Sequence, residues 1–189
     1  MYTIVLTILL LSPQEVFQRL SSIKSWRGEF YQEVSEKGLG VLERKSGVVF
    51  FKRPLNILFI YEDNSKFLCD GINLWEYNPV KDETFIRPLT EYFSENIISK
   101  IMAGDSAVLK ILNLKKNIEN KKGGIFEFGM DEIIKNSTVK VYYRKEGFPI
   151  KEISIESEIG TRFKIEFKKI DIRDLPDKIF KLWLGKANR

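Results

Sequence analysis

The stretch from Val48 to Val80 constrains the fold more than any other part of this 189-residue chain. Asp70-Gly71 stands between Lys66-Phe67-Leu68-Cys69 and Ile72-Asn73-Leu74-Trp75-Glu76-Tyr77, and Asp-Gly favours the φ > 0 turns that join antiparallel strands. Ahead of this hairpin, Val48 to Phe51 reads as a strand that Pro54 interrupts, because proline fixes φ and donates nothing to a ladder. Leu55 to Tyr61 resumes as another strand. Side chains alternate faces along a strand, so Asn73, Trp75 and Tyr77 share one side. Strands packed this closely in sequence predict an antiparallel sheet that needs cover for its apolar face.

Periodicity places the remaining elements. Residues 1–12 read as a secretory leader: Ile4 to Leu11 is apolar and too short to span a bilayer, although no Lys or Arg precedes it. Residues 13–189 read as a single domain. Ser12-Pro13-Gln14-Glu15 opens a helix with a capping box and proline at its first position, and Val16, Phe17, Leu20 and Ile23 give it one apolar face to about Lys24. Trp26 to Val34 follows as a strand, Gly38 and Gly40 mark a turn region, and Glu83 to Leu89 is a further strand ended by Pro88. Helical spacing returns at Ser94 to Met102, with Ile97, Ile98, Ile101 and Met102 on one side and Gly104 after it. A second short helix, capped by Asp105 or Ser106, carries Val108, Leu109 and Leu112.

Gly123-Gly124 reads as a loop between weaker strands, one of them Ile125 to Phe128. Three clearer strands follow, around Val139 to Tyr143, Ile153 to Ile155 and Phe163 to Phe167, joined by turns at Gly147-Phe148-Pro149 and Glu158-Ile159-Gly160. A change of parity towards Ile170 and Ile172 predicts a bulge near Lys168-Lys169. Lys178 to Trp183 reads as a last short strand. With no parallel crossover units, the order gives an α+β domain with a large antiparallel sheet.

Composition excludes much chemistry. The chain has no histidine and one cysteine, Cys69, which removes His-dependent triads, His general bases, His-containing zinc sites and any intramolecular disulfide. No phosphate-binding glycine loop or dinucleotide fingerprint is present, and Cys69 reads as a small hydrophobe. The net charge of +5 is concentrated: residues 135–189 hold 14 Lys/Arg against 8 Asp/Glu. Nucleic acid is disfavoured as a partner, because Tyr143, Phe163 and Phe167 share parity with Val and Ile while the cations face away. The residues therefore leave two arrangements open: a closed core, or a sheet curved around a greasy cavity with helices as a lid.

Several pieces, in order and spacing, resemble the LolA-type outer-membrane lipoprotein carriers of Gram-negative bacteria. They are the first helix with Phe17, the G-x-F-x-Q strand (Gly28, Phe30, Gln32), Arg53-Pro54, Tyr61, Asp70-Gly71, Leu74-Trp75, Tyr77-Asn78-Pro79, the Ile97 to Met102 helix before Gly104, the Gly147/Pro149 turn, Gly160, and Asp177 to Phe180. Ile57 and Phe59 depart from the aromatic pair expected after Arg-Pro.

The resemblance implies an unclosed β-barrel capped by short helices, in a periplasmic, monomeric and non-enzymatic carrier that needs no cofactor. Its cavity would hold lipoprotein acyl chains, received from an ATP-driven inner-membrane transporter and passed to an outer-membrane receptor. Phe17, Phe30, Ile57, Phe59, Tyr61, Trp75, Ile97, Ile101 and Met102 would line that cavity, and Arg53 would latch the lid. Lys164, Lys168 and Arg173, in the basic third, would meet an acidic partner surface. The alternative of another class is a sensing or scaffold domain of the same type, which binds an envelope lipid or protein without transport.

Overall fold

A computed structural model describes residues 10–91, 93–130 and 136–181, without the side chains of residues 91–96. Most of the expected leader, residues 1–9, lies outside the described residues. Three helices are described: α1 (Pro13–Ser21), α2 (Phe93–Ala103) and α3 (Lys178–Lys181). The strands are β1 (Ser25–Glu36), β2 (Gly40–Lys52), β3 (Asn56–Tyr61), β4 (Lys66–Cys69), β5 (Asn73–Asn78), β6 (Glu83–Pro88), β7 (Asn113–Glu119), β8 (Gly123–Gly129), β9 (Thr138–Arg144), β10 (Ile150–Glu156) and β11 (Thr161–Ile172).

All of these strands form one antiparallel sheet in the order β6-β5-β4-β3-β2-β1-β11-β10-β9-β8-β7. Strands β6 and β7 are its two edges, so the barrel is unclosed. The first and last strands pair in the middle, and each remaining neighbour is a hairpin partner. The β6–β7 connection is the exception: it carries α2 from one free edge to the other and must therefore cross a face of the sheet.

That crossing explains where the core sits. The inward faces of the strands bury Trp26, Phe51, Phe126, Phe128, Val141 and Ile153 against Phe17 and Leu20 of α1 and Ile97 and Ile101 of α2. Trp26 is the hub, with ring centroids 5.8, 4.8 and 5.7 Å from Phe51, Phe148 and Phe167. A smaller cluster lies on the outer face, where Leu175 and Phe180 cover Leu58 and Leu68. Lys52 ties this C-terminal segment down, donating to the Leu175 carbonyl at 2.6 Å and pairing with Asp177 at 2.7 Å.

Local signals behave as their chemistry requires. Both halves of the Ser12–Glu15 capping box form, Gly71 takes φ +89, and Asp70 Oδ1 accepts the Ile72 and Asn73 N–H groups. The register of β1 on β11 slips by one residue opposite Lys169, which takes φ +46, so the bulge lies where parity changed.

Other readings are corrected. Helix α1 ends at Ser21, short of Lys24. The strand read from Val48 begins at Gly40, because β1 and β2 form a long hairpin whose outer half is polar and carries little apolar alternation. Gly123 and Gly124 lie within β8 and the turn is at Asn120, whose side chain accepts the Lys122 and Gly123 N–H groups. The glycines are there because β9 passes so close: a Cβ on Gly123 would lie 2.0 Å from the Tyr143 carbonyl oxygen. Lys178–Lys181 is a helical turn in place of a strand, with Phe180 as its buried anchor; residues 182 and 183 lie outside the described set.

Candidate functional site

The two helices crossing the sheet meet at their C-terminal ends. Gly104, at φ +64, makes the meeting possible: a Cβ there would stand 2.6 Å from the Ser21 nitrogen and 2.7 Å from the Phe17 oxygen. This close approach gathers the terminal carbonyls of both helices, which have no partner within their own helix and carry partial negative charge. Arg53 reaches them from the β2–β3 turn. Its Nε donates to the Ile23 carbonyl at 3.0 Å, and its Nη2 donates to Leu20 at 3.1 Å and Ala103 at 2.6 Å. Burial pulls the Arg53 pKa down, yet a guanidinium stays charged at any physiological pH. One side chain therefore ties the sheet to α1 and α2 together.

A cavity of about 670 Å³ opens between α2 and the inner face of β1–β6 and β11. Phe59, Phe67, Phe85, Phe163 and Ile165 line it from the strands, and Ile98, Ser99 and Met102 from the helix. Its mouth lies towards the β3–β4 and β5–β6 turns, where Asp63, Ser65, Pro79 and Val80 stand. Arg53 sits at the opposite ends of the same strands, and through Ala103 it holds the C-terminal end of the helix that covers the cavity. Deeper on the wall, the Tyr61 hydroxyl donates to Gln32 Oε1 at 3.2 Å, and burial raises the Tyr61 pKa far enough to keep that phenol protonated. Lys45, Lys66, Arg87, Asp63 and Glu76 also border the space, so its rim carries both charge signs.

The expected cavity residues divide three ways. Phe59, Tyr61 and Met102 line the space. Phe17, Phe30, Ile57, Ile97 and Ile101 are core residues, each 2% exposed or less, and lie behind the wall or in the filled part of the sheet. Trp75 is on the other face, packed near Leu58 and Leu68 with its indole N–H donated to Asp70 Oδ2 at 2.9 Å. Sequence reasoning put Trp75 on the wrong side because both faces of β5 carry large side chains, and Leu74 is the inward one. The residues it missed, Phe67 and Phe85, share inward parity with Cys69 and Arg87, a signal that was legible strand by strand.

The three basic residues all have carboxylate neighbours. Lys164 stands 3.7 Å from Glu33, Lys168 3.6 Å from Glu166, and Arg173 2.8 Å from Asp171. Local pairing therefore offsets the charge excess of the C-terminal third at these points.

Comparison with known proteins agrees with this geometry. An outer-membrane lipoprotein carrier protein of Idiomarina loihiensis is 30% identical over 100 residues, which is 52% of this chain and 45% of that protein. Its counterpart in Shewanella oneidensis is 26% identical over 96 residues, covering 50% of this chain and 47% of that protein. The chain thus spans about half the length of the curated relatives it matches. Among solved structures, a conserved protein from Thermus thermophilus aligns with a TM-score of 0.55 at 11% identity, covering 90% of this chain and 93% of the other. A DUF1329 family protein from Desulfovibrio piger aligns at 0.51 and 13%, covering 89% and 95%; at these identities the likeness is one of fold. The family described as "Outer membrane lipoprotein carrier protein LolA" matches residues 21–183, and the chain belongs to that family.

Proposed function

We propose that this protein is a periplasmic lipoprotein carrier, which shields lipoprotein acyl chains in the cavity under α2 and passes them from an inner-membrane ABC transporter to an outer-membrane receptor. The observation that carries this reading is the cavity itself: about 670 Å³, with Phe59, Phe67, Phe85, Ile98 and Met102 among its lining residues. That volume falls within the range of small-molecule sites, about 300 to 1,000 Å³. Each methylene removed from water contributes about 0.8 kcal/mol, so ten would give about 8 kcal/mol before ordering costs are met. A membrane offers the chain the same gain. Delivery therefore needs a device that biases the empty state, and Arg53 is placed to supply one.

In this reading Arg53 holds α1 and α2 together when the cavity is empty. Acyl chains entering beneath Ile98 and Met102 push α2 outward and strain those bonds, and their re-formation favours release. The chemistry that this reading asks of the site is burial and hydrogen bonding.

The direct test is native mass spectrometry of the protein purified from the membrane-free envelope fraction. Bound triacylated lipoprotein supports the carrier. A ligand-free protein in a fixed complex with one envelope protein would replace it with the scaffold reading.

A further inference from the structure

The G-x-F-x-Q strand contains one residue that neither packing nor the lid explains. Gly28 makes room for Ile170 and Phe30 is core, with ring centroids 4.9 Å from Phe59 and 5.2 Å from Tyr61. Gln32, on the same inward face, stands on the cavity wall. It is held there by a specific arrangement. Phe30, Gly47 and Tyr61 are aligned across β1, β2 and β3; a Cβ on Gly47 would lie 2.0 Å from the Ile60 carbonyl oxygen, and the Tyr61 ring reaches across to Phe30 of β1. The Tyr61 hydroxyl then donates to Gln32 Oε1. With its oxygen occupied, the amide presents its NH₂ group, which has two donors, to the cavity. Among the described residues no acceptor takes them.

An acyl chain that fills this space drives out the water that would otherwise satisfy the amide, and an unsatisfied buried donor is costly. Hydrocarbon has nothing to offer in return, so a ligand that dries the cavity must bring its own acceptor. An anionic group is a poor match: Lys45, opposite Gln32 in the β1–β2 register, is paired with Glu43 at 2.9 Å, and Asp63 and Glu76 offset Lys66 and Arg87 around the same space. A neutral carbonyl fits. We propose that Gln32, oriented by Tyr61, is a hydrogen-bonding subsite for the carbonyl oxygen of a fatty-acyl ester or amide, so that the cavity recognises the linkage of a lipid as well as its chain. This rests on the cavity being an acyl-chain site. The same chemistry is carried by lipoprotein and by free glycerolipid.

The test measures binding of four probes to the full chain and to Gln32→Leu and Tyr61→Phe: a triacylated lipopeptide, a diester phosphatidylethanolamine, its diether analogue, and diphenylhexatriene, which has no acceptor. Gln32→Leu should weaken the lipopeptide and the diester lipid about tenfold, whereas the diether lipid and diphenylhexatriene, which leave the amide donors unpaired in the wild type, should bind the variant more tightly. The wild type should prefer diester to diether by a similar factor. Tyr61→Phe, which frees the amide to turn, should give a smaller loss with the same pattern. Tighter wild-type binding of the lipopeptide than of the diester lipid assigns the linkage to lipoprotein, and the reverse assigns it to free lipid. Equal effects on diester and diether lipids would overturn the subsite while leaving the cavity intact. Failure of diphenylhexatriene to bind the wild type would overturn the acyl-site reading beneath it.

Discussion

The two halves of the sheet use the same strand pattern to different ends. In β8–β10 the inward residues Phe126, Val139, Val141 and Ile153 have no exposed surface. In β4–β6 the same parity gives Phe67 and Phe85, and Phe85 is 46% exposed. The difference lies above the strands. Helix α1 is fastened over the first half: Arg19 donates to the Arg144 and Gly147 carbonyls, and Leu11 is held to β7. Over the second half α2 is the one helix that crosses among the described residues, and the cavity opens between it and the outer strands. The cavity is thus a place left uncovered, where Phe59, Phe67, Phe85, Ile98 and Met102 share the wall with polar and charged side chains.

The largest expected effect breaks this comparison at its two ends. Phe126 stacks on Tyr143 at a centroid distance of 4.3 Å, and Phe126→Ala should cost about 3 to 5 kcal/mol, the usual range for a buried phenylalanine. Phe85→Ala should change stability by less than about 1 kcal/mol while weakening acyl binding. Urea denaturation of both variants beside lipid-probe titration checks this; equal losses of stability would mean that the second half is core as well. Ile101→Asp, at a site with no exposure, should unfold the protein instead of merely emptying it.

Next in size is Arg53, the link between the halves. Arg53→Leu removes donors from Ile23, Leu20 and Ala103, and should shift the closed lid by about 1 to 3 kcal/mol. The Leu20 carbonyl keeps the Ile23 N–H at 3.1 Å, so the fold should survive. Loading should persist while hand-off to an acceptor membrane or receptor stalls. Lysine, with its charge but without the fork, should be intermediate. Normal hand-off by Arg53→Leu would remove the latch.

How far this was legible follows from the range of each interaction. Hairpins and helix starts were readable because their causes are local: Asp70-Gly71 turns within four residues, and Ser12 and Glu15 cap each other. The sheet's closure on itself was not, since β1 finds β11 across most of the chain. The bounds of strand β7 and the outer half of the β1–β2 hairpin were hidden by their composition: Asn113–Glu119 is a polar edge strand with Lys115 and Lys116 at its centre, as edges that resist further pairing tend to be. For the site, Arg53 was legible only through resemblance, because its three acceptors come from distant elements. The cavity list failed where burial alone was its criterion: Ile97 and Met102 share one helix stripe, and only three-dimensional cover separates the filled side from the empty one.

A smaller effect concerns the fastening of the filled half. Glu119 Oε2 accepts the Leu11 N–H at 2.9 Å and the Tyr143 hydroxyl at 2.8 Å, and Lys145 pairs with the other oxygen. Lys145, together with the Leu11 and Tyr143 bonds, holds the Glu119 carboxyl below the usual carboxylate range against the opposing effect of burial. A depressed native-state pKa contributes stability above the unfolded value of about 4.3 and loses it as pH falls through the native one. Glu119→Gln should therefore melt below wild type at pH 7, and the gap should close towards pH 3. A gap that stayed constant with pH would mean that Glu119 acts through shape alone.

The smallest effect tests whether the basic third is a docking surface. Lys168 and Lys164 each stand 5.6 Å over the Tyr31 ring and beside Glu166 and Glu33, and Arg173 is 2.8 Å from Asp171. Exposed pairs of this kind contribute at most about 1 kcal/mol each, so charge reversal should leave the melting curve almost unmoved. Long-range steering is a different quantity: it depends on summed charge, falls with ionic strength, and appears in association rates. Lys164→Glu, Lys168→Glu and Arg173→Glu together change the net charge by six, enough to alter encounter with an acidic partner even where each residue is locally paired. If the surface docks such a partner, loading or hand-off should slow several-fold at low salt, and the difference from wild type should vanish at high salt. An unchanged rate and salt slope would make these cations a solvated outer face, and partner contact would then have to lie at the cavity mouth.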